Sequence, residues 1–240
     1  MLLGCATDTG LMRDTNEDAC FADRQCLAVA DGMGGHNAGE VAAGIAIRTV
    51  ASYCGQWDSG DDVDVAACIA AANWGVLEAS RSSESLAGMG TTLTVAAVRK
   101  GVLHLGHVGD SRAYLVRGDV VSQLTTDHSV VGELVRSGLI TPEEAETHPQ
   151  RHAITRALGF CDRLDIDTRE RCVAPGDVIL LSTDGFHDVI GAQEMAAVVS
   201  TAEGPQDACA LLVGLACARG GHDNITVAMG TIEESDIGWA

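Results

Sequence analysis

Thr92-Leu93-Thr94-Val95-Ala96-Ala97-Val98-Arg99-Lys100-Gly101-Val102-Leu103-His104-Leu105-Gly106-His107-Val108 reads as two apolar runs hinged at Lys100-Gly101. Runs of this length, rich in β-branched residues and joined by a glycine-containing turn, predict an antiparallel hairpin. A second pair follows at once: Ala113–Val116 leads through Arg117-Gly118-Asp119 to Val120-Val121. Consecutive hairpins call for a largely antiparallel sheet.

Working outward, Leu2–Asp8 is a short candidate strand, and Cys26-Leu27-Ala28-Val29-Ala30 reads as a buried strand feeding a turn at Asp31-Gly32. Residues 38–53 have few breakers, and apolar residues at 65, 69, 72, 76 and 79 give 63–80 the spacing of an amphipathic helix. Asp127–Ser137 and Pro142–Thr147 predict two further helices, the second with Thr141 as N-cap. Strands near Leu164–Val173 and Val178–Ser182, a helix over Gln206–Arg219 and a strand over Ile225–Gly230 complete the chain. Hairpins mixed with long helices in this order predict an α+β fold, helices packed outside antiparallel sheets.

The 240 residues suit one large domain better than two small ones. With 46% hydrophobic but only 3% aromatic residues, the core must be built from Ala, Val, Leu and Ile. No apolar run is long enough to span a bilayer. Leu2-Leu3-Gly4-Cys5 lacks the basic and apolar segments of a lipoprotein signal, so no lipid anchor is expected. Nine cysteines form no C-x-x-C pair and sit mostly in apolar context, which predicts reduced core residues and a cytoplasmic protein. A net charge of −19, with Lys100 the one lysine, argues against nucleic acid as a partner and favours divalent cations.

Five acidic clusters carry the chemistry: Arg13-Asp14-Thr15-Asn16-Glu17-Asp18, Asp31-Gly32-Met33-Gly34-Gly35, Gly109-Asp110-Ser111-Arg112, Thr183-Asp184-Gly185 and Asp223-Asn224. Hard cations take carboxylates and carbonyls, and a two-metal site needs one carboxylate to bridge and others to flank. Asp31-Gly32 suits a bridging carboxylate followed by a backbone ligand, because glycine lets backbone approach closely. Asp184 and Asp223 would flank it, and Arg13 would meet phosphate oxygens bidentately. The acidic stretch Asp58–Asp64 resembles half a calcium loop, but Ile69 stands where the bidentate Glu belongs, so it reads as a solvated loop. Asp127-His128-Ser129 has no G-x-S-x-G elbow beside it, so a serine hydrolase is set aside.

The ordered motifs resemble the metal-dependent protein phosphatase family, type 2C, in its compact bacterial form. The resemblance rests on Arg13-x-x-Asn16-Glu17-Asp18, Ala30-Asp31-Gly32-Met33-Gly34-Gly35-His36, and Val108-Gly109-Asp110-Ser111-Arg112-Ala113-Tyr114. It continues through Leu124–Ser129, Ile154–Gly159, Ser182–Gly185 and Gly221–Thr226, spanning about residues 6–230. The family implies a four-layer αββα sandwich of two antiparallel sheets with metals in a cleft at one end. By that resemblance Asp31 would bridge two Mn²⁺ or Mg²⁺ ions and Gly32 would give its carbonyl. Asp184 and Asp223 would complete one shell, Glu17 would lie at the second ion, and Asp18 would act through a bound water. Asp110 would serve a weaker third ion together with Asp184.

The implied activity is hydrolysis of phosphoserine and phosphothreonine in proteins by direct attack of a metal-bridging hydroxide, with Arg13 and Asp31 as catalytic residues. The alternative is an inactive phosphoprotein-binding module on the same fold. Implied partners are phosphorylated proteins, a serine/threonine kinase and its targets, and the protein is expected to be a monomer. Residues 127–156 would form a flap beside the cleft. Met33 stands where distant relatives carry a histidine, so leaving-group protonation is unassigned; His36 is a candidate general acid, and His36 and Asn224 are candidates for supporting contacts. His187, in Phe186-His187-Asp188, is read as a neighbour of the site rather than a participant.

Overall fold

The computed structural model describes residues 1–23, 25–34, 38–57 and 62–238. Its strands are β1 Leu2–Asp8, β2 Asp18–Asp23, β3 Cys26–Met33, β4 Gly90–Thr91, β5 Leu93–Arg99, β6 Val102–Val108, β7 Arg112–Arg117, β8 Val120–Gln123, β9 Asp167–Cys172, β10 Val178–Ser182 and β11 Ile225–Thr231. The helices are α1 Gly39–Trp57, α2 Val65–Ser82, α3 Val130–Arg136, α4 Pro142–Glu146, α5 Asp184–His187, α6 Ala192–Thr201, α7 Pro205–Ala218 and α8 Glu234–Ile237.

Two antiparallel sheets result, one ordered β1-β11-β10-β7-β8 and the other β2-β3-β5-β6-β9, with β4 paired to β3. Alternation along each strand decides what each face meets. On β3, Leu27 and Val29 point between the sheets, where they join Ala96, Leu103, Leu115, Ile179, Leu181 and Ala228. Cys26, Ala28 and Ala30 point the other way and pack against Ala43, Ala46, Cys68 and Ile69 of α1 and α2. On the far side, Leu180, Val227 and Met229 meet Cys209, Leu212 and Ala216 of α7 together with Met195 of α6. The order is therefore helix, sheet, sheet, helix, as expected. The scarcity of aromatics is answered by close approach, because alanine and cysteine at the helix contacts let α1 lie directly on the sheet.

The two predicted hairpins form, but in different sheets. β5 and β6 pair in one and β7 and β8 in the other, so Gly109-Asp110-Ser111 is a crossing between sheets rather than a loop within one. β3 does not turn at Asp31-Gly32; it runs on to Met33, because Gly32 and Met33 pair with Thr91 and Gly90. The helix predicted from Asp127 starts at Val130, after Ser129 caps it by accepting from the Gly132 amide at 3.1 Å. α4 has its predicted cap, a reciprocal box between Thr141 and Glu144. β9 begins at Asp167, three residues later than the predicted strand. Strands β2 and β4 and helices α5, α6 and α8 were not anticipated. Among the described residues no helix is long and apolar enough to cross a membrane. His36 and most of the Asp58–Asp64 stretch lie outside the described residues; Asp64 itself caps α2, accepting from the Ala67 amide at 2.9 Å.

Candidate metal and phosphate site

The antiparallel topology brings all five acidic clusters to one end of the sandwich. β2 starts at Asp18, β3 ends just beyond Asp31, β10 ends before Asp184, β11 starts after Asp223, and the β6–β7 crossing carries Asp110. Asp18 and Asp31 are cross-strand partners in the β2–β3 register, so their side chains share one face. That face is the inner one, looking toward β10 and β11 of the other sheet.

Asp31 is fixed from behind. Its amide donates to Thr92 Oγ1 at 2.9 Å, and its carbonyl accepts from the Thr92 amide at 2.9 Å and from Thr91 Oγ1 at 2.9 Å. Thr92 Oγ1 in turn meets Ser111 Oγ at 2.8 Å, which ties the strand holding Asp31 to the crossing holding Asp110. Gly32 packs so tightly that a Cβ there would lie 2.2 Å from the Gly39 carbonyl oxygen and 2.5 Å from that of Glu17. Only glycine fits the place where a backbone ligand is expected.

Asp18 is buried and receives a hydrogen bond from Thr183 Oγ1 on its Oδ2 at 2.8 Å, while its Oδ1 has no partner. Asn224 stitches the acidic N-terminal segment to the start of β11. Its Oδ1 accepts from the Glu17 amide at 2.8 Å, and its Nδ2 donates to the carbonyls of Thr9 and Thr15, both at 2.9 Å. Arg13 reaches across this seam to Asp223 Oδ2 at 2.7 Å. Gly185 lets α5 start against the same seam, since a Cβ there would sit 2.2 Å from the Asn224 carbonyl oxygen.

Burial first, and then mutual repulsion, make these carboxyls reluctant to ionise. Asp31 is pushed well above the ordinary range by burial and by Asp18, Asp184, Asp110 and Asp223. Asp18 is pushed up to about 7 by burial, against the hydrogen bonds from Thr226 and Thr183. Asp110 is raised to about 7 by burial and Asp184, and Asp184 to about 6 by burial and Asp223. Burial also raises Glu17, with Arg13 pulling the other way. So much negative charge is stable only around cations, and the donors are all hard oxygens.

The structure thus brings together Arg13, Glu17, Asp18, Asp31, Gly32, Asp110, Asp184, Asp223 and Asn224. His187 stands apart: its Nδ1 meets Ser182 Oγ at 3.2 Å and burial keeps its ring neutral. Sequence reasoning missed Thr183, whose signal was its place immediately before Asp184. It missed the contacts at the start of residues 127–156 as well. Asp127 holds Arg112 through three contacts of 2.7–3.1 Å, and His128 clasps Gly109, its amide donating to the Gly109 carbonyl at 2.7 Å and its Nδ1 accepting from the Gly109 amide at 3.1 Å. Beside Asp184, ligand atoms of His152 and Asp188 fall within 4.8 Å of it and of one another.

A protein-family model described as Protein phosphatase 2C matches residues 13–211. This chain belongs to that family. It is 37% identical over 245 residues to the protein phosphatase PhpP of Streptococcus pneumoniae, covering 98% of this chain and 99% of that one. It is 39% identical over 234 residues to the serine/threonine protein phosphatase PstP of Mycobacterium tuberculosis, covering 97% of this chain and 45% of that protein. The crystal structure of the M. tuberculosis phosphatase PstP/Ppp superposes with a TM-score of 0.88 at 36% identity, covering 98% and 100% of the two chains. A second structure, the catalytic domain of PstP in complex with two manganese ions, superposes with a TM-score of 0.86 at 34% identity, covering 97% and 98%. The phosphatase 2C family membership and the fold of this chain therefore agree.

Proposed function

We propose that this chain is a metal-dependent protein phosphatase that hydrolyses phosphoserine and phosphothreonine in proteins. The observation that carries the reading is the convergence of Asp18, Asp31, Asp110, Asp184 and Asp223, with a buried Asp18 oxygen left unpaired. A donor set of carboxylates and a glycine carbonyl fits Mn²⁺ or Mg²⁺ and fits soft metals poorly. Asp31 would bridge two ions, with the Gly32 carbonyl, Asp184, Asp223, Glu17 and Asp18 around them, and Asp110 with Asp184 would hold a weaker third. Ions bound there would acidify a coordinated water and neutralise charge on the phosphoryl group.

The chain's own residues position the reaction. Arg13 is half-exposed and already oriented by Asp223, so its guanidinium can turn a second pair of N–H groups to the phosphate. Thr183 fixes the rotamer of Asp18, and the Thr91–Thr92–Ser111 hydroxyls fix Asp31 and the Asp110 crossing. The gathering of these carboxylates beside Arg13 supports an active enzyme over a phosphoprotein-binding module. The partners of such an enzyme are a serine/threonine kinase and the proteins it phosphorylates, and its place is the cytoplasm, acting as a monomer. The test is hydrolysis of p-nitrophenyl phosphate and of a phosphothreonine peptide with Mn²⁺, with chelator, and by Asp184→Asn. Turnover that chelator and Asp184→Asn abolish is expected; turnover indifferent to both, or none with Mn²⁺, would refute the reading.

A further inference from the structure

None of the nine cysteines is in a disulfide, and two pairs set their thiols beside each other, Cys5 with Cys20 and Cys26 with Cys54. Their surroundings differ. Cys26 of β3 and Cys54 of α1 lie in the core at 1% and 3% exposure, where the Cys54 thiol and burial keep Cys26 protonated. Cys5 and Cys20 sit half-buried at the rim of the layer between the sheets. β1 is the edge strand of one sheet and β2 the edge strand of the other, and the two edges lie face to face.

Alternation aims the two thiols at each other. Leu3 and Cys5 on β1, and Cys20 and Ala22 on β2, all border the cluster between the sheets. Gln206 of α7 holds the Cys5 backbone, accepting from its amide at 3.2 Å and donating to its carbonyl at 3.0 Å. The neighbouring Cys20 thiol lowers the Cys5 pKa, against the effect of burial. That favours the thiolate at Cys5, the form that attacks peroxides. Cys209 is also near Cys5, but it sits on α7, fully buried against the opposite face of β1.

We infer that Cys5 and Cys20 are a peroxide-responsive dithiol that closes into a reversible disulfide joining the edge strands of the two sheets. The Cys5 thiolate attacks one oxygen of hydrogen peroxide, the O–O bond breaks, and Cys5 sulfenic acid and hydroxide form. The Cys20 sulfur then displaces the sulfenic hydroxyl: the S–S bond forms, and the thiol proton leaves with that oxygen as water. In sum two thiols and one peroxide give one disulfide and two waters, and an excess of a small dithiol reverses it. Cys20 lies two residues beyond Asp18 on the same face of β2, so the bond would tie the sheets directly beneath the acidic cluster.

The test uses the whole purified chain, treated with a few equivalents of hydrogen peroxide, alkylated, digested and mapped by mass spectrometry. The expected product is a peptide pair crosslinked through Cys5 and Cys20, lost on adding dithiothreitol and unchanged in Cys209→Ser. Thermal melting should rise by about 5 °C or more in the oxidised protein, because the bond closes a short loop of the unfolded chain. In Cys5→Ser, Cys20 should stay fully alkylatable after the same treatment. Recovery of Cys5 as sulfinic acid beside a free Cys20, a crosslink of Cys5 to Cys209 instead, or two unmodified thiols would each overturn the inference. The mapping is done on the wild-type chain, so a variant that folds poorly does not blunt it.

Discussion

Arg13 and Asp223 are 210 residues apart in the chain and 2.7 Å apart in space, with the arginine half-exposed above the acidic cluster. An exposed pair of this kind contributes little to stability. Its worth lies in orientation, because the carboxylate holds the guanidinium over the place where a phosphate would lie. We expect Arg13→Ala to lower kcat/KM for a phosphothreonine peptide by about 10- to 100-fold, the loss of one or two charge-assisted hydrogen bonds. Its melting temperature should match the wild type. Steady-state kinetics beside a thermal melt separates the two effects.

The crowding of carboxylates costs the metal-free protein stability. Adding Mn²⁺ should raise the melting temperature in proportion to the logarithm of its free concentration, and chelator should reverse the shift. Asp18→Asn removes one charge from the cluster and keeps the acceptor for Thr183. It should melt about 2–4 °C higher than wild type without metal, gain less from Mn²⁺, and turn over at least tenfold more slowly. A thermal-shift titration of both proteins reads this directly.

Asn224 is a structural pin more than a ligand. Its side chain makes three hydrogen bonds to backbone at 2.8–2.9 Å, two of them to the acidic N-terminal segment. Asn224→Ala leaves those groups unpaired and should cost about 3 kcal/mol in chemical denaturation. Asn224→Asp keeps the acceptor for the Glu17 amide but loses both donors, so it should fall between the two.

Gly32 offers a sharper test of backbone geometry. A methyl group there would strike the Gly39 and Glu17 carbonyl oxygens, so β3 or the start of α1 must move. Misplacement by about an ångström near reacting groups costs on the order of 100-fold. Gly32→Ala should therefore lose Mn²⁺-dependent turnover by about that factor while circular dichroism stays close to wild type.

Far from the site, Asp177 is gripped by Arg117 at 2.6 and 2.7 Å and accepts from the Ala174 amide at 2.8 Å. Burial works against ionisation there, but the Arg117 contacts and the Ala174 amide outweigh it and hold Asp177 below its ordinary 3.8. A depressed carboxyl contributes stability that is present above its unfolded value and is lost as pH falls through the folded one. Asp177→Asn should thus destabilise at pH 7, and its difference from wild type should shrink below about pH 4. Urea melts at the two pH values check the sign.

The hairpins, the long helices and the acidic clusters were legible because each announces itself locally, by apolar runs, periodicity or Asp-Gly pairs. β2 was not. Asp18-Ala19-Cys20-Phe21-Ala22-Asp23 has no β-branched residue, and its strand state comes from pairing with β3, a contact the sequence does not display. The split of the two hairpins between sheets was invisible for the same reason: turn chemistry sets a hairpin, whereas the assignment to a sheet depends on distant strands. At the site, carboxylates could be read from their glycine neighbours. Thr92 and Ser111 could not, since a hydroxyl's role depends on which distant atom it meets. The departure at Met33 was readable, yet it names no substitute acid, and His187 is turned into Ser182.

The register that sets Asp18 opposite Asp31 also limits what this chain can become. A ladder of hydrogen bonds works like a ruled scale, and its smallest division is one residue. Insertion of a single residue in β2 or β3 would turn one of the two acids outward, whatever the rest of the protein did. Lineages descending from this sequence can therefore lengthen helices and rework residues 127–156, but the short hairpin holding these two acids has to be inherited at constant length.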